Sequence, residues 1–213
     1  MRHRRLPAPR TYCSRASAPP PMKIRTVLLF GAPGSGKGTQ GKILGSIPNF
    51  YHFSCGEVFR NLTPDSSLGQ IFIDYSSRGQ LVPAEPTVRL WHNNIESAEQ
   101  AGRFNRKTDT LVLDGIPRNI EQAKMLHSLV NVHHIFYLRC MDMKKLVARL
   151  QRRALRENRL DDANIQVIRE RLETYERETH PVLEYYGSKL VRTIDSTQKP
   201  VEVLREILAL LAK

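Results

Sequence analysis

The 213-residue chain is predicted to be an α/β protein, a parallel sheet with helices on both faces. Two observations predict it. Short β-branched and apolar runs alternate with longer amphipathic stretches, the pattern of repeated strand–helix–strand units. The first run also ends in a glycine-rich turn that leads directly into a helical pattern.

In chain order, "TVLLF" (26–30) reads as a buried strand. "GAPGSGKGTQ" follows, and a helical pattern runs over 38–46. Residues 51–83 hold helical pieces and no clear strand, so they read as an insertion between sheet elements. A helix over 85–99, a strand at "LVLDG" (111–115), a helix over 120–129 and a strand at "HIFYLR" (134–139) come next. On the helix through "DMKKLVARLQRRALRE", Met143, Leu146, Val147, Leu150 and Ala154 form one apolar stripe. A very short second insertion falls around 156–162. A helix from about 163 turns Ile165, Ile168, Leu172 and Tyr175 inward, and "LVRTID" (190–195) is a weaker last strand. There is no internal repeat.

Composition limits the classes of function. Apolar residues make up 40% and charged residues 25%, which is ordinary for a soluble globular domain. No apolar run approaches the ~18 residues that cross a bilayer. Cys13, Cys55 and Cys140 are too few and too scattered for a disulfide framework or a four-thiolate zinc site, so a reducing compartment is expected. The net charge of +12 asks for an anionic partner. Residues 1–21 carry five Arg and no acid, which leaves 28 basic and 21 acidic side chains, or +7, for the rest. That Pro-rich opening is expected to be disordered, with the folded domain spanning 22–213. Its composition matches an organellar transit peptide, and it matches equally an upstream start with Met22 opening the domain. The second reading is preferred and places the protein in the cytoplasm.

Three motifs carry chemistry. A strand, a glycine-rich loop with Gly36-Lys37 and then a helix is an arrangement that binds polyphosphate. Backbone N–H groups and the helix N-terminus face the anion, and Lys37 adds a point charge. Gly38 stands where such loops usually carry a metal-binding hydroxyl, and Thr39 comes one place late. Second, Arg149, Arg153 and Arg156 line one edge of the apolar stripe. Arg152 and Arg156 read as a solvated face. Three like charges along one edge nevertheless repel unless an anion sits among them. With "RLDD" (159–162) and Arg171 on the following helix, several guanidinium groups can converge on a polyphosphate. Third, Asp114 ends a buried strand, where α/β folds place their ligands, and Arg118 opens the next helix. A carboxylate beside a phosphate implies a cation between them; alternatively, Asp114 caps a helix. The seven histidines form no metal set and read as structural or exposed.

From residue 26 onward the chain resembles the adenylate kinases, over about nine-tenths of its length. "GAPGSGKGTQ" is similar to that family's phosphate loop, including its Gly38-Thr39 order. "HFSCGEVFR" and "RGQLVP" resemble the two ends of its AMP-binding insertion, "LDGIPRNIEQA" its acceptor motif, "RLQRRALRENRLDD" its short lid and "RERLETYERETHPVLEYY" its closing helix. The resemblance implies a P-loop NTPase-like three-layer fold: a central five-stranded parallel sheet, a helical AMP-binding insertion (51–83) and a short lid (154–163). It implies transfer of phosphate from ATP to AMP with Mg²⁺, giving ADP, by a monomer.

Carried over by that resemblance, Gly34, Ser35, Gly36, Lys37, Gly38 and Thr39 hold the transferred phosphates. Arg149 stacks on the ATP adenine, and Gln198 also belongs to the ATP site. Arg60 and Arg118 grip the AMP phosphate, while Cys55, Gln80, Val82, Gly115 and Gln122 complete the AMP site, with Gln122 reading the base. Arg153, Arg159 and Arg171 neutralise the moving phosphoryl group, and Arg159 and Arg171 reach the AMP side as well. Asp161 and Asp162 order the lid, and Asp114 holds magnesium through water, with no direct side-chain ligand. A cis bond before Pro117 is also implied.

The chain departs from the family at Cys55, usually Thr, at Glu57, usually Asp, and at Ile116, usually Phe. One extra residue after Asp162 leaves Arg169 as an alternative to Arg171. The alternative activity is a UMP/CMP kinase, because Asn119 partly matches that group while Gln122-Ala123 matches the adenylate one. The non-enzyme alternative is a basic nucleic-acid-binding protein. Only 7% aromatics, and arginines confined to the motifs above, argue against it, and no specific nucleic acid is expected.

Overall fold

The computed structural model describes residues 22–157, 159, 162 and 164–212. Five parallel strands stand in the order β2-β3-β1-β4-β5: β1 (Ile24–Phe30), β2 (Phe50–Ser54), β3 (Thr110–Asp114), β4 (Val130–Arg139) and β5 (Val191–Asp195). The central β1 is buried almost throughout, since successive side chains enter opposite layers. Val27 and Leu29 join Leu44 of α1 (Lys37–Leu44) with Val203 and Ile207 of α9 (Pro200–Leu211). Leu28 and Phe30 join the opposite layer, which holds Val88, Trp91 and Ile95 of α4 (Ala84–Gln100), Leu126 of α5 (Ile120–Leu126) and Val182 of α8 (Pro181–Tyr186). The result is the three-layer arrangement with a five-stranded sheet.

One strand corrects the reading of residues 51–83. Phe50–Ser54 pairs with β3 from Phe50 opposite Thr110 to Ser54 opposite Asp114. This is an edge strand, and only Phe53 is fully buried, so it shows neither the continuous apolar run nor the clean alternation that marks strands nearer the centre. The helical pieces begin after it, as α2 (Cys55–Arg60) and α3 (Ser67–Ser77). Residue 79 brings this segment against α7 (Ile165–Thr174): a Cβ on Gly79 would stand 3.0 Å from Glu170 Cβ and 3.1 Å from the Arg171 nitrogen.

A smaller cluster joins Leu146 and Leu150 of α6 (Met143–Glu157) to Ile168 and Leu172 of α7. Two residues expected to face inward do not. Met143 is 51% exposed and Ile165 is 38% exposed, because each opens its helix, a turn short of the packed stretch. Helix α7 also starts later than expected, where Asn164 caps it by accepting the Gln166 N–H. The expected closing helix is broken into α7, a π turn (Tyr175–Thr179) and α8. Pro181 explains the break: it has no N–H to give one turn back, and its ring crowds that carbonyl. The ladder widens there, and the His180 N–H reaches Tyr175 O at 2.9 Å.

Candidate active site

The strands' C-terminal ends open onto a cleft of about 880 Å³. The loop after β1 forms one wall. Gly36 adopts φ 98°, and no atom lies within 4 Å of where its Cβ would be, so backbone conformation alone calls for glycine there. At Gly31 space decides, since a Cβ would stand 2.5 Å from Leu138 O and from Ser35 Oγ. Helix α1 begins at Lys37 with no side-chain cap, which leaves its first N–H groups turned to the cleft. Lys37 Nζ donates to Gly31 O (2.5 Å) and Ala32 O (3.1 Å). Burial pushes this ammonium down to about 8; Asp114 opposes the shift, while Arg118, Arg153 and Arg171 reinforce it.

Asp114 ends β3 and is 8% exposed. It caps no helix, for α5 is capped by Asn119, whose Oδ1 accepts the Gln122 N–H at 2.9 Å. Gly38 lies against Asp114, whose Oδ2 would be 3.6 Å from a Cβ there. The same oxygen faces His52 Nε2 at 4.0 Å, and burial pushes that imidazole below its ordinary value.

Arginines occupy the remaining walls. Arg60 and Arg118 both lie over Gly56, within 3.2 Å and 3.6 Å of the position its Cβ would take. The Ile116–Pro117 bond is cis. Arg118 donates from Nε to Gly115 O at 2.8 Å and from its backbone N–H to Gln122 Oε1 at 2.7 Å. Arg149 bridges two loops, donating to Gly34 O (3.4 Å) and Ser196 O (2.9 Å). Arg153 and Arg171 share the fully buried carboxylate of Asp162, Arg153 Nε at 2.7 Å. The anion that the arginine edge requires is therefore partly supplied by the chain itself. Arg159 donates to Glu157 at 2.6 Å.

All the proposed nucleotide-binding residues line this cleft, including Cys55, Gln80, Val82 and Gln198. Arg171 lines it and Arg169 is exposed. Asp161 lies outside the described residues. Arg152 and Arg156, read as solvated, are exposed and also form part of the rim. The Cys55 thiol is 3% exposed, and burial pushes it up to about 11, so it is a neutral wall.

Sequence reading missed three contacts: His52 beside Asp114, the Lys42–Glu57 ion pair at 2.7 Å, and Thr179 Oγ1 donating to Arg118 O at 2.8 Å. Only the first had a visible signal, a lone histidine in an otherwise aromatic strand.

A phosphate loop, a strand-end carboxylate and converging guanidinium groups in one cleft are what the sequence motifs led one to expect. A family model described as Adenylate kinase matches residues 29–191. The chain belongs to the adenylate kinase family. Among its relatives is an Adenylate kinase of Corynebacterium urealyticum, 34% identical over 166 residues, covering 78% of this chain and 87% of the relative. One from Chlamydia trachomatis serovar D is 30% identical over 215 residues, covering 85% and 88%. Another from Cyanothece sp. is 36% identical over 190 residues, covering 85% and 92%. The family makes this chain an enzyme, a phosphotransferase that binds nucleotides. No helix among the described residues is long and apolar enough to cross a membrane.

Proposed function

We propose that the chain transfers the terminal phosphoryl group of ATP reversibly to AMP, giving two ADP. One observation carries this reading: a single cleft gathers Lys37, Arg60, Arg118, Arg149, Arg153, Arg159 and Arg171 around one strand-end carboxylate. A monophosphate acceptor has a second pKa of ~6, so it is already ionised near neutral pH and needs no general base. The task that remains is to hold two anions together, and fixed cations in a water-poor site do that.

In this reading the loop around Lys37 holds the phosphates of ATP, Arg149 and Gln198 lie toward its base, and Arg60 and Arg118 hold the acceptor phosphate. Arg153, Arg159 and Arg171 offset charge on the group in transit. The segment up to Pro83, taken from α2 onward, is the acceptor-binding arm, and 154–163 is the lid. Among the described residues no group of three or more His, Cys, Asp or Glu is placed to hold a metal ion. The donor set fits Mg²⁺ carried on phosphate oxygens with its waters retained, and Asp114 is the residue that would hold it through one of them. Bound there, such an ion would offset negative charge on the phosphates. A monomer is the working state in this reading. The free thiols of Cys55 and Cys140 favour a reducing cytoplasm.

The test is a phosphoryl-transfer assay with ATP, Mg²⁺ and AMP, CMP, UMP or GMP. AMP is expected to be the best acceptor, preferred over CMP by at least ~10-fold in kcat/KM. A better rate with CMP or UMP would transfer the assignment to the pyrimidine kinases. No transfer to any acceptor would remove the enzymatic reading.

A further inference from the structure

Arg118 is fixed at three points, and one of them lies outside its own motif. Its N–H and Nε are held locally, by Gln122 and Gly115. Its carbonyl precedes the cap of α5, whose first helical bond runs from the Ala123 N–H to Asn119 O. The Arg118 carbonyl accepts instead the hydroxyl of Thr179, at 2.8 Å and 61 residues further along the chain.

A helical threonine ordinarily turns its hydroxyl back to a carbonyl one turn earlier. Here the carbonyl four residues back, Tyr175 O, is taken by the His180 N–H across the π turn. The Thr179 hydroxyl reaches out to the neighbouring loop. Thr179 is 8% exposed, so the pair is largely shielded from water. The same run of chain that carries Arg171 on α7 therefore also anchors the backbone of Arg118.

We propose that Thr179 is a positioning residue for the acceptor site, holding the Arg118 backbone so that its guanidinium group stays over Gly56 beside Arg60. It sets the spacing between the Arg118 and Arg171 guanidinium groups. This rests on the reading of Arg118 as a ligand of the acceptor phosphate.

Thr179→Val and Thr179→Ser, made in the full chain, test it. Val is expected to raise KM for AMP about 10-fold, as small misplacements of binding groups do, and to leave KM for ATP within about twofold. Ser, which keeps the hydroxyl, is expected to restore KM for AMP. A double-mutant cycle with Arg118→Lys separates this role from general loosening: if Thr179 acts through Arg118, the combined loss in kcat/KM for AMP falls short of the two single losses added. If the valine variant does not fold, Thr179→Ala carries the same comparison, because it removes the hydroxyl without crowding the site. Additive losses, an unchanged KM for AMP, or failure of Ser to rescue would each overturn the proposal. An Arg118→Ala control with normal KM for AMP would instead overturn the reading of Arg118 itself.

Discussion

Lys37 is held in the empty loop by two carbonyls of that same loop, so phosphate binding exchanges those partners for stronger, charged ones. Lys37→Ala is expected to lower kcat by at least ~10²-fold with an unaltered circular dichroism spectrum. Wild-type turnover in that variant would refute the assignment of the loop. The ammonium sits at about 8, below the ordinary lysine value of 10.5, so the empty enzyme progressively loses this charge as pH rises through 8. Phosphate favours the protonated form. ATP affinity should therefore fall above that pH, and binding there should take up a proton. Calorimetry in two buffers of different protonation enthalpy measures the uptake, and an affinity that stays flat across this range would contradict it. Gln122 is tied into the start of α5. Asn119 Oδ1 caps α5 by accepting the Gln122 N–H, and the Gln122 amide oxygen accepts the Arg118 N–H. In the proposed reading Nε2 is the donor for a ring nitrogen of the base. Gln122→Glu keeps the acceptor oxygen and loses that donor, so it should keep thermal stability near wild type while eroding the preference for AMP over CMP. Cys55→Thr should preserve or sharpen the preference. Unchanged selectivity in the glutamate variant would remove Gln122 from base reading. Apart from Gln198, the cleft residues named from sequence were legible because each sits in a contiguous motif. Thr179 was not, because its partner is 61 positions away and nothing local marks the pairing.

Between elements, Gly79 makes a close approach to α7. Its φ of 71° and the backbone of Arg171 next to it leave no room for a side chain. Gly79→Ala is expected to cost about 1–3 kcal/mol and to raise KM for AMP more than KM for ATP, because it displaces the acceptor-side segment and leaves the phosphate loop alone. Thermal unfolding and the two KM values measure this, and equal changes in both KM values would argue against the segment serving the acceptor. The elements missed in sequence share one physical cause. β2 pairs along β3 while burying only Phe53 fully, and the π turn precedes Pro181. Local pattern reports burial and propensity, whereas these features are set by neighbours. The central strands, buried on both faces, were legible for the opposite reason.

For the molecule as a whole, deletion of residues 1–21 is expected to leave activity and melting temperature nearly unchanged, because that stretch has too few large apolar side chains to pack. A large fall in melting temperature on truncation would show that it braces the domain. The three-layer architecture was legible from the alternation of runs, while the strand order β2-β3-β1-β4-β5 was not, since strand order is decided by crossovers that leave no local trace. One feature of the cleft bears on the speed of the catalytic cycle. Arg153 and Arg171 share Asp162, and Arg159 meets Glu157. In the proposed reaction an incoming phosphate would take over cations that these carboxylates engage, and a departing product would hand them back. Both ends of the exchange are cushioned, so two highly charged products can leave without the cleft having to endure a bare cluster of positive charge.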